Sequence, residues 1–184
     1  MARLIAGMTV SLDGYVQDAG GSAAALYTDL ADLQDSPYVK AMQDETGAVL
    51  MGRRTFEMAG DTDSYADSYE LQVPIFVLTH TPPAVAPKRN ERLSFTFVTD
   101  GVESAVAQAA AARERAVTVV GGVDLNRQLL AAGLVDELRV DVMPVLLGAG
   151  LRLFDGTPPV ALEKLGVDDV GARTSLRFRV LRSG

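Results

Sequence analysis

The chain has 184 residues, of which 48% are apolar and 22% are charged, so it is long enough and apolar enough to bury a core of its own. Its 17 basic and 24 acidic residues give a net charge of −7, which argues against nucleic acid and anionic membranes as general partners. The sequence has no cysteine and one histidine, His80. This composition excludes disulfides, thiolate catalysis and two-histidine metal sites within one chain.

Strands and helices alternate over the first 133 residues. No apolar stretch reaches the ~18 residues of a membrane-spanning helix, and no leader precedes the first strand-like segment, so we expect a cytoplasmic protein. Apolar and β-branched runs predict strands at residues 3–11, 48–51, 73–79, 95–99 and 117–120. Helices are predicted at residues 37–45, 53–58, 102–113 and 124–132, the first beginning at Ser36-Pro37 and the last ending at Gly133.

Four further strands follow without helices between them, at residues 134–142, 151–154, 160–170 and 174–181. An alternating half followed by a meander is typical of a mainly parallel sheet with an antiparallel edge. The sequence therefore predicts one domain over residues 1–184. Its class is α/β, with a mainly parallel central sheet flanked by helices and an antiparallel C-terminal edge. The acidic segment at residues 61–67 is predicted to be a solvated loop.

The first segment that can carry chemistry is Gly52-Arg53-Arg54-Thr55, which follows a strand and opens a helix. Glycine allows close backbone approach, a helix N-terminus offers free N–H groups, and the arginines add positive charge. These features suit a phosphate or pyrophosphate. A plain turn with solvated arginines is the alternative interpretation.

Two more segments end strands in the same way. Gly121-Gly122 follows the strand at residues 117–120, although the G-x-G-x-x-G fingerprint is absent and a tight turn is the alternative. Leu78-Thr79-His80 ends the strand at residues 73–79, and a surface histidine is the alternative there. Because the carboxyl ends of parallel strands meet at one edge of a sheet, all three segments can line one crevice.

Together these segments resemble a known family. The residues that carry the resemblance are Ser11-Leu12-Asp13-Gly14, Gly52-Arg53-Arg54-Thr55-Phe56-Glu57, Leu78-Thr79-His80, Val120-Gly121-Gly122, and residues 134–138 and 144–150. Their order and spacing resemble the dihydrofolate-reductase-like fold. More narrowly, the chain resembles the reductase domain of the riboflavin-biosynthesis deaminase–reductases and its stand-alone relatives.

The resemblance implies an eight-stranded sheet and an NADPH-dependent reductase, with NADH or a flavin as the alternative cofactors. It implies hydride transfer to a small heterocycle of pterin or pyrimidine type. It also implies a homodimer formed through residues 144–150 and the final strands, and often a cis peptide between Gly121 and Gly122. The cofactor-binding residues it implies are Gly52, Arg53, Arg54, Thr55, Leu78, Thr79, His80, Gly121, Gly122 and Val123.

The substrate side is less defined by the sequence. Asp13 is the candidate catalytic and substrate-positioning residue, and a carboxylate that caps its own Asp-Gly turn is the alternative. Tyr15, Phe56 and Glu57 are candidate substrate contacts. The alternative is that the two aromatic residues belong to the core and that Glu57 interacts with the helix dipole. Ser36 stands where dihydrofolate reductases place a carboxylate, which argues against dihydrofolate as the substrate.

Two other functions stay open at this point. One is a module that binds or senses a ligand on the same fold without turnover. The other is a flavin- or deazaflavin-dependent reductase, in which a different nucleotide fills the same crevice.

Overall fold

The computed structural model describes residues 2–182 of the chain, and within them the helices precede Gly133 and only strands follow it, as the sequence predicts. The strands are β1 Leu4–Ser11, β2 Tyr15–Asp18, β3 Thr46–Gly52, β4 Ile75–Leu78, β5 Phe95–Val98, β6 Ala116–Val119, β7 Glu137–Met143, β8 Gly150–Arg152, β9 Leu162–Val170 and β10 Arg173–Val180. The helices are α1 Leu30–Leu33, α2 Pro37–Glu45, α3 Arg53–Glu57, α4 Ser64–Ser68, α5 Val102–Ala112 and α6 Val123–Ala131, with a 3-10 turn at Ala24–Leu26.

Eight of the strands form the central sheet, in the order β5-β4-β3-β6-β1-β7-β10-β9. The six strands from β5 to β7 are parallel, and β10 and β9 are antiparallel to their neighbours. This confirms the predicted fold class and the eight-stranded sheet that the resemblance implies. The strand predicted at residues 151–154 is β8, but it leaves the central sheet and pairs with β2, a strand that the sequence did not predict.

The sheet opens between β1 and β6. Only Leu4 and Ile5 of β1 pair with β6, whereas the β7 side of β1 is paired from Ile5 to Ser11. Chain order reverses at this point, since β3, β4 and β5 extend the sheet on one side and β7 extends it on the other. Open α/β sheets bind their ligands at such a switch point, beyond the carboxyl ends of the strands.

Local sequence explains most of the element boundaries. The Ser36 side chain accepts a hydrogen bond of 3.2 Å from the Val39 N–H and so caps α2, with Pro37 at the first helical position. At the other end of the helical half, Gly133 adopts a φ of +65° and ends α6. None of the helices within residues 2–182 is long and apolar enough to cross a membrane.

The prediction for residues 61–67 is wrong in part, because α4 buries one side of this segment. Tyr65 is 7% exposed and stacks on Phe56 with ring centroids 5.8 Å apart, and Phe97 meets Phe56 edge-on at 5.4 Å. Aromatic pairs of this geometry add to the gain from burial. The acidic residues of the segment remain on its outer side, which is why composition alone predicted a solvated loop. The predicted homodimer stays a prediction.

Candidate functional site

A cleft of about 1110 Å³ lies at the carboxyl ends of β3, β4 and β6 and continues along β1. We call its two walls the glycine side and the carboxylate side. The glycine side carries all ten residues that the sequence predicts for the cofactor, which are Gly52, Arg53, Arg54, Thr55, Leu78, Thr79, His80, Gly121, Gly122 and Val123. The carboxylate side is formed by Thr9, Tyr38, Asp141 and Arg173 on β1, α2, β7 and β10.

The Gly121-Gly122 turn lies against Thr55 at the centre of the glycine side. Both glycines have positive φ, +70° and +89°, and a Cβ placed on Gly121 would come within 3.0 Å of the Thr55 side chain. The turn therefore requires glycine for its backbone conformation and for its contact with α3. The expected cis peptide is not found, since the peptide bonds of the described chain are all trans.

A buried amide fixes this turn to the first strand. Asn126 on α6 is 1% exposed, and its side-chain oxygen accepts a hydrogen bond of 3.0 Å from the Gly7 N–H on β1. Its side-chain nitrogen donates a hydrogen bond of 2.9 Å to the Gly122 carbonyl. Asn126 thus connects β1 to the glycine turn across the gap in the sheet, and it was not predicted as a site residue.

The cations of the glycine side are held only loosely by other protein groups. Arg53 lies 3.9 Å from Glu57, and Arg54 lies 3.7 Å from Asp124 in the first turn of α6. Exposed pairs of this length contribute little to stability, so both guanidinium groups remain free to meet an anionic ligand. His80 is exposed at the rim of the cleft.

The threonine that precedes His80 is turned inward. Thr79 is buried, and its hydroxyl donates a hydrogen bond of 3.0 Å to the Thr81 carbonyl. The same hydroxyl oxygen accepts a hydrogen bond of 3.2 Å from the Thr81 N–H. These bonds fix the loop after β4 and leave His80 at the mouth of the cleft.

The structure corrects the predicted placement of Asp13, which does not line the cleft. Its carboxylate accepts hydrogen bonds from the Ser11 hydroxyl at 2.6 Å and from the N–H groups of Leu147 at 3.1 Å and Gly148 at 2.7 Å. The bond from Ser11, together with those backbone bonds, lowers the pKa of Asp13 to about 2. The geometry thus favours the alternative interpretation, in which Asp13 is a structural cap, and the cap also holds the loop after β7.

The other three predicted substrate contacts also lie outside the cleft. Tyr15 is packed beneath the Arg152 guanidinium, 4.5 Å from its ring centroid. Phe56 is 3% exposed among the aromatic rings of the core, and Glu57 faces solvent beside Arg53. The sequence places Phe56 and Glu57 correctly on α3, but the helix turns both side chains away from the cleft.

A network of buried and partly buried side chains forms the carboxylate side. Arg173 donates two hydrogen bonds to Asp29, at 2.6 and 2.8 Å, and one of 3.2 Å to each of Asp141 and Thr9. The Tyr38 hydroxyl lies 2.9 and 3.0 Å from the two oxygens of Asp141. Burial and the Asp141 charge raise the pKa of Tyr38 to about 12, so the phenol keeps its proton at neutral pH.

Sequence reasoning missed this network because its partners are distant in the chain. Tyr38 and Asp141 are 103 positions apart, and Arg173 and Asp29 are 144 positions apart. The available signal is weak. Asp141 continues the alternation of charged and apolar residues along β7, and Arg173 is the first residue of β10.

Comparison with solved structures places the fold among dihydrofolate-reductase-like proteins. A protein assigned to riboflavin biosynthesis from Shewanella sp. PV-4 matches with a TM-score of 0.77 and 21% identity, over 99% of this chain and 100% of that one. A diaminohydroxyphosphoribosylaminopyrimidine deaminase/5-amino-6-(5-phosphoribosylamino)uracil reductase from Thermotoga maritima matches with a TM-score of 0.70 and 15% identity, over 98% of this chain and 57% of that one. Dihydrofolate reductase from Enterococcus faecalis complexed with NADP(H) matches with a TM-score of 0.58 and 18% identity, over 97% and 96%.

The family follows from the sequence. The model of the RibD C-terminal domain matches residues 2–176, and the chain belongs to that family. Among curated proteins, YwjB of Bacillus subtilis is 25% identical over 175 residues, which cover 93% of this chain and 94% of YwjB.

Proposed function

We propose that this protein is an NADPH-dependent reductase that transfers a hydride to a small heterocycle of pyrimidine or pterin type. One observation carries the proposal. Three segments that follow different strands, separated along the chain by as many as 69 positions between Gly52 and Gly121, converge on one cleft at the switch point of the sheet. By their sequence, the segments at Gly52 and Gly121 suit the phosphates of a dinucleotide, and the cofactor role of Leu78–His80 is what the family resemblance implies.

The glycine side fits the phosphates of a dinucleotide. Gly121 and Gly122 present backbone without side chains, and α6 begins directly after them. The first N–H groups of a helix lack intrahelical partners and point toward its N-terminus, where they favour anions. Arg53 and Arg54 add positive charge there, and Asp124 in the first turn of α6 is offset by Arg54 at 3.7 Å.

The size of the cleft suits an extended ligand such as a dinucleotide. Pockets for one drug-sized ligand occupy ~300–1,000 Å³, and this cleft measures about 1110 Å³. When bound, NADPH supplies the hydride. The protein's own residues then have to hold the cofactor on the glycine side, orient the substrate on the carboxylate side and exclude water between them. Two proteins of this fold support the proposed cofactor and substrate class, since one is a dihydrofolate reductase complexed with NADP(H) and the other is a uracil reductase.

Titration of the purified protein with NADPH, NADH and FAD tests the proposal. We expect NADPH to bind most tightly, because the cations of the glycine side favour the additional phosphate. Arg53→Ala should weaken NADPH binding about tenfold, the equivalent of one charge-assisted contact of ~1.4 kcal/mol. Arg89→Ala is the matched control, since Arg89 is exposed and lies outside the cleft.

The other outcomes point to a different function or to a different cofactor site. If FAD binds most tightly, the protein is a flavin-dependent reductase. If a pyrimidine binds and NADPH does not, the protein is a ligand-binding module. If Arg53→Ala and Arg89→Ala weaken NADPH binding equally, the glycine side is not the cofactor site.

A further inference from the structure

The carboxylate side presents one acidic group to the cleft, Asp141 on β7. Its side chain is 13% exposed, and it lies on the cleft wall. Asp29, the other carboxylate of the network, is 7% exposed, does not line the cleft and is held by two bonds from Arg173. A ligand that enters the cleft therefore meets Asp141 and not Asp29.

The charges around Asp141 do not balance. Within this network one cation, Arg173, faces two carboxylates, Asp29 and Asp141, so that one negative charge remains. A charge left over in a partly buried site favours a ligand that supplies positive charge or hydrogen-bond donors.

The nearest further cation on the cleft wall is already neutralised. Arg139 pairs with Glu45 and Glu137, and Arg3 pairs with the same two carboxylates. These two arginines and two glutamates form a balanced group. The charge of Arg139 is therefore compensated within this group and does not offset the charge of Asp141 or attract an anionic ligand.

Asp141 also keeps unused hydrogen-bonding capacity. An ionised carboxylate has about four acceptor positions and no proton to donate. The single Tyr38 proton is shared between the two oxygens, and Arg173 donates one bond of 3.2 Å. The free positions can be filled only by a donor, and N–H groups of a planar heterocycle match the planar carboxylate.

The remaining cations of the cleft lie on the other wall. Among the cleft-lining residues that the structure describes, these are Arg53 and Arg54 on the glycine side. The carboxylate side has no spare cation for a phosphate. Its rim is apolar instead, with Tyr27 and Leu30 exposed by 37% and 56% at the mouth of the cleft. Large exposed apolar side chains at a cleft mouth suit a flat or apolar ligand body.

We propose that Asp141 anchors the substrate, and that the substrate is an unphosphorylated heterocycle that donates N–H groups to it. This inference rests on the proposed function, because it assigns the carboxylate side to the substrate by giving the glycine side to NADPH. Tyr38 and Arg173 hold the carboxylate in place from α2 and β10. Asp141 is the group that touches the ligand.

Binding of pyrimidine probes by the full chain tests the proposal. The probes are 2,4-diaminopyrimidine, which has N–H donors, 2,4-dimethoxypyrimidine, which has none, and uridine monophosphate, which carries a phosphate. We expect the diamino compound to bind at least tenfold more tightly than the other two. Asp141→Asn keeps the size of the side chain but removes its charge, and it should weaken binding of the diamino compound at least tenfold. Asp169→Asn, which removes an exposed carboxylate outside the cleft and outside this network, is the control and should change that affinity less than threefold.

The titrations are made with and without NADPH, so that the two proposals fail separately. If the wild type does not bind NADPH, the proposed function is overturned. The titration with 2,4-diaminopyrimidine alone still tests the role of Asp141. The anchoring role is overturned if Asp141→Asn leaves the diaminopyrimidine affinity unchanged. It is also overturned if the wild type prefers dimethoxypyrimidine or uridine monophosphate. The probe comparison on the wild type decides the matter even where Asp141→Asn does not fold.

Discussion

The two walls of the cleft are built in different ways. The glycine side consists of backbone turns and exposed side chains, and its ion pairs, Arg53–Glu57 and Arg54–Asp124, are long at 3.9 and 3.7 Å. The carboxylate side consists of buried and partly buried side chains, with Arg173 3% exposed and bonded to Asp29 at 2.6 Å. Changes on the first wall should therefore alter binding more than folding. Changes on the second should alter folding as well as binding.

The largest effect is expected on the carboxylate side, from Arg173→Met. This change removes the cation and leaves the buried Asp29 and the partly buried Asp141 without a counter-charge, which should lower the free energy of unfolding by about 3–5 kcal/mol. Arg179→Met is the control on the same strand, because its pair with Glu163 is about half exposed on both sides. Exposed pairs are worth about 1 kcal/mol or less. Urea denaturation of both variants measures the difference, and equal losses would contradict the contrast between buried and exposed pairs.

A smaller effect, on NADPH binding more than on folding, is expected on the glycine side from Gly121→Ala. The new methyl group would lie 3.0 Å from the Thr55 side chain and project at the turn, so NADPH binding should weaken at least about tenfold. Gly60→Ala is a matched control, since Gly60 has the same φ of +70° but no atom within 4 Å of an added Cβ.

Both glycine variants carry the same backbone strain, ~1 kcal/mol or somewhat more for a residue with a Cβ. In urea, Gly121→Ala should lose more stability than Gly60→Ala, because only its methyl group presses on Thr55. Only Gly121→Ala should lose affinity for NADPH in a fluorescence titration. If Gly60→Ala lost as much affinity, the effect would be one of folding and not of the site.

The smallest effect is expected outside both walls, at Asp13. Its pKa is about 2 in the folded protein, below the ordinary 3.8 that it regains on unfolding. A carboxylate with a depressed pKa stabilises the fold above its unfolded pKa, and this stabilisation is lost as the pH falls from about 4 to about 2. Asp13→Asn should therefore be less stable than the wild type at pH 7, with the gap narrowing at pH 3. Urea midpoints at the two pH values check this, and a gap independent of pH would mean that the charge of Asp13 plays no part.

Local signals explain how much of this fold the sequence predicted. The parallel half, the helix that Ser36 caps and the turn at Gly121 each follow from residues adjacent in the chain. Strand β2 was missed because only four residues form it, and it exists through its pairing with the distant β8. Helix α4 was missed because its burial depends on the ring of Phe56, which another helix supplies.

The same physical limit divides the site. Gly52, Thr79 and Gly122 lie on the cleft, and a glycine or threonine at the end of a predicted strand is a signal that the local sequence provides. Their role in cofactor binding stays a prediction. Asp13 was assigned to the substrate on the strength of the loop that carries it, whereas its partners are the N–H groups of Leu147 and Gly148, more than 130 positions away. Tyr38 and Asp141 form a pair that only the tertiary fold creates.

The single amide of Asn126 also sets a dimension of the molecule. Between β1 and the glycine turn the sheet has no ladder to fix its spacing beyond Ile5, and the separation is set instead by a side chain of fixed length, bonded at 3.0 Å on one side and 2.9 Å on the other. Asn126 therefore fixes the distance between the two walls. A glutamine, one methylene longer, would not fit the same gap without moving β1 or α6. The length of the asparagine side chain thus sets the width of the cleft, although Asn126 itself does not line the cleft.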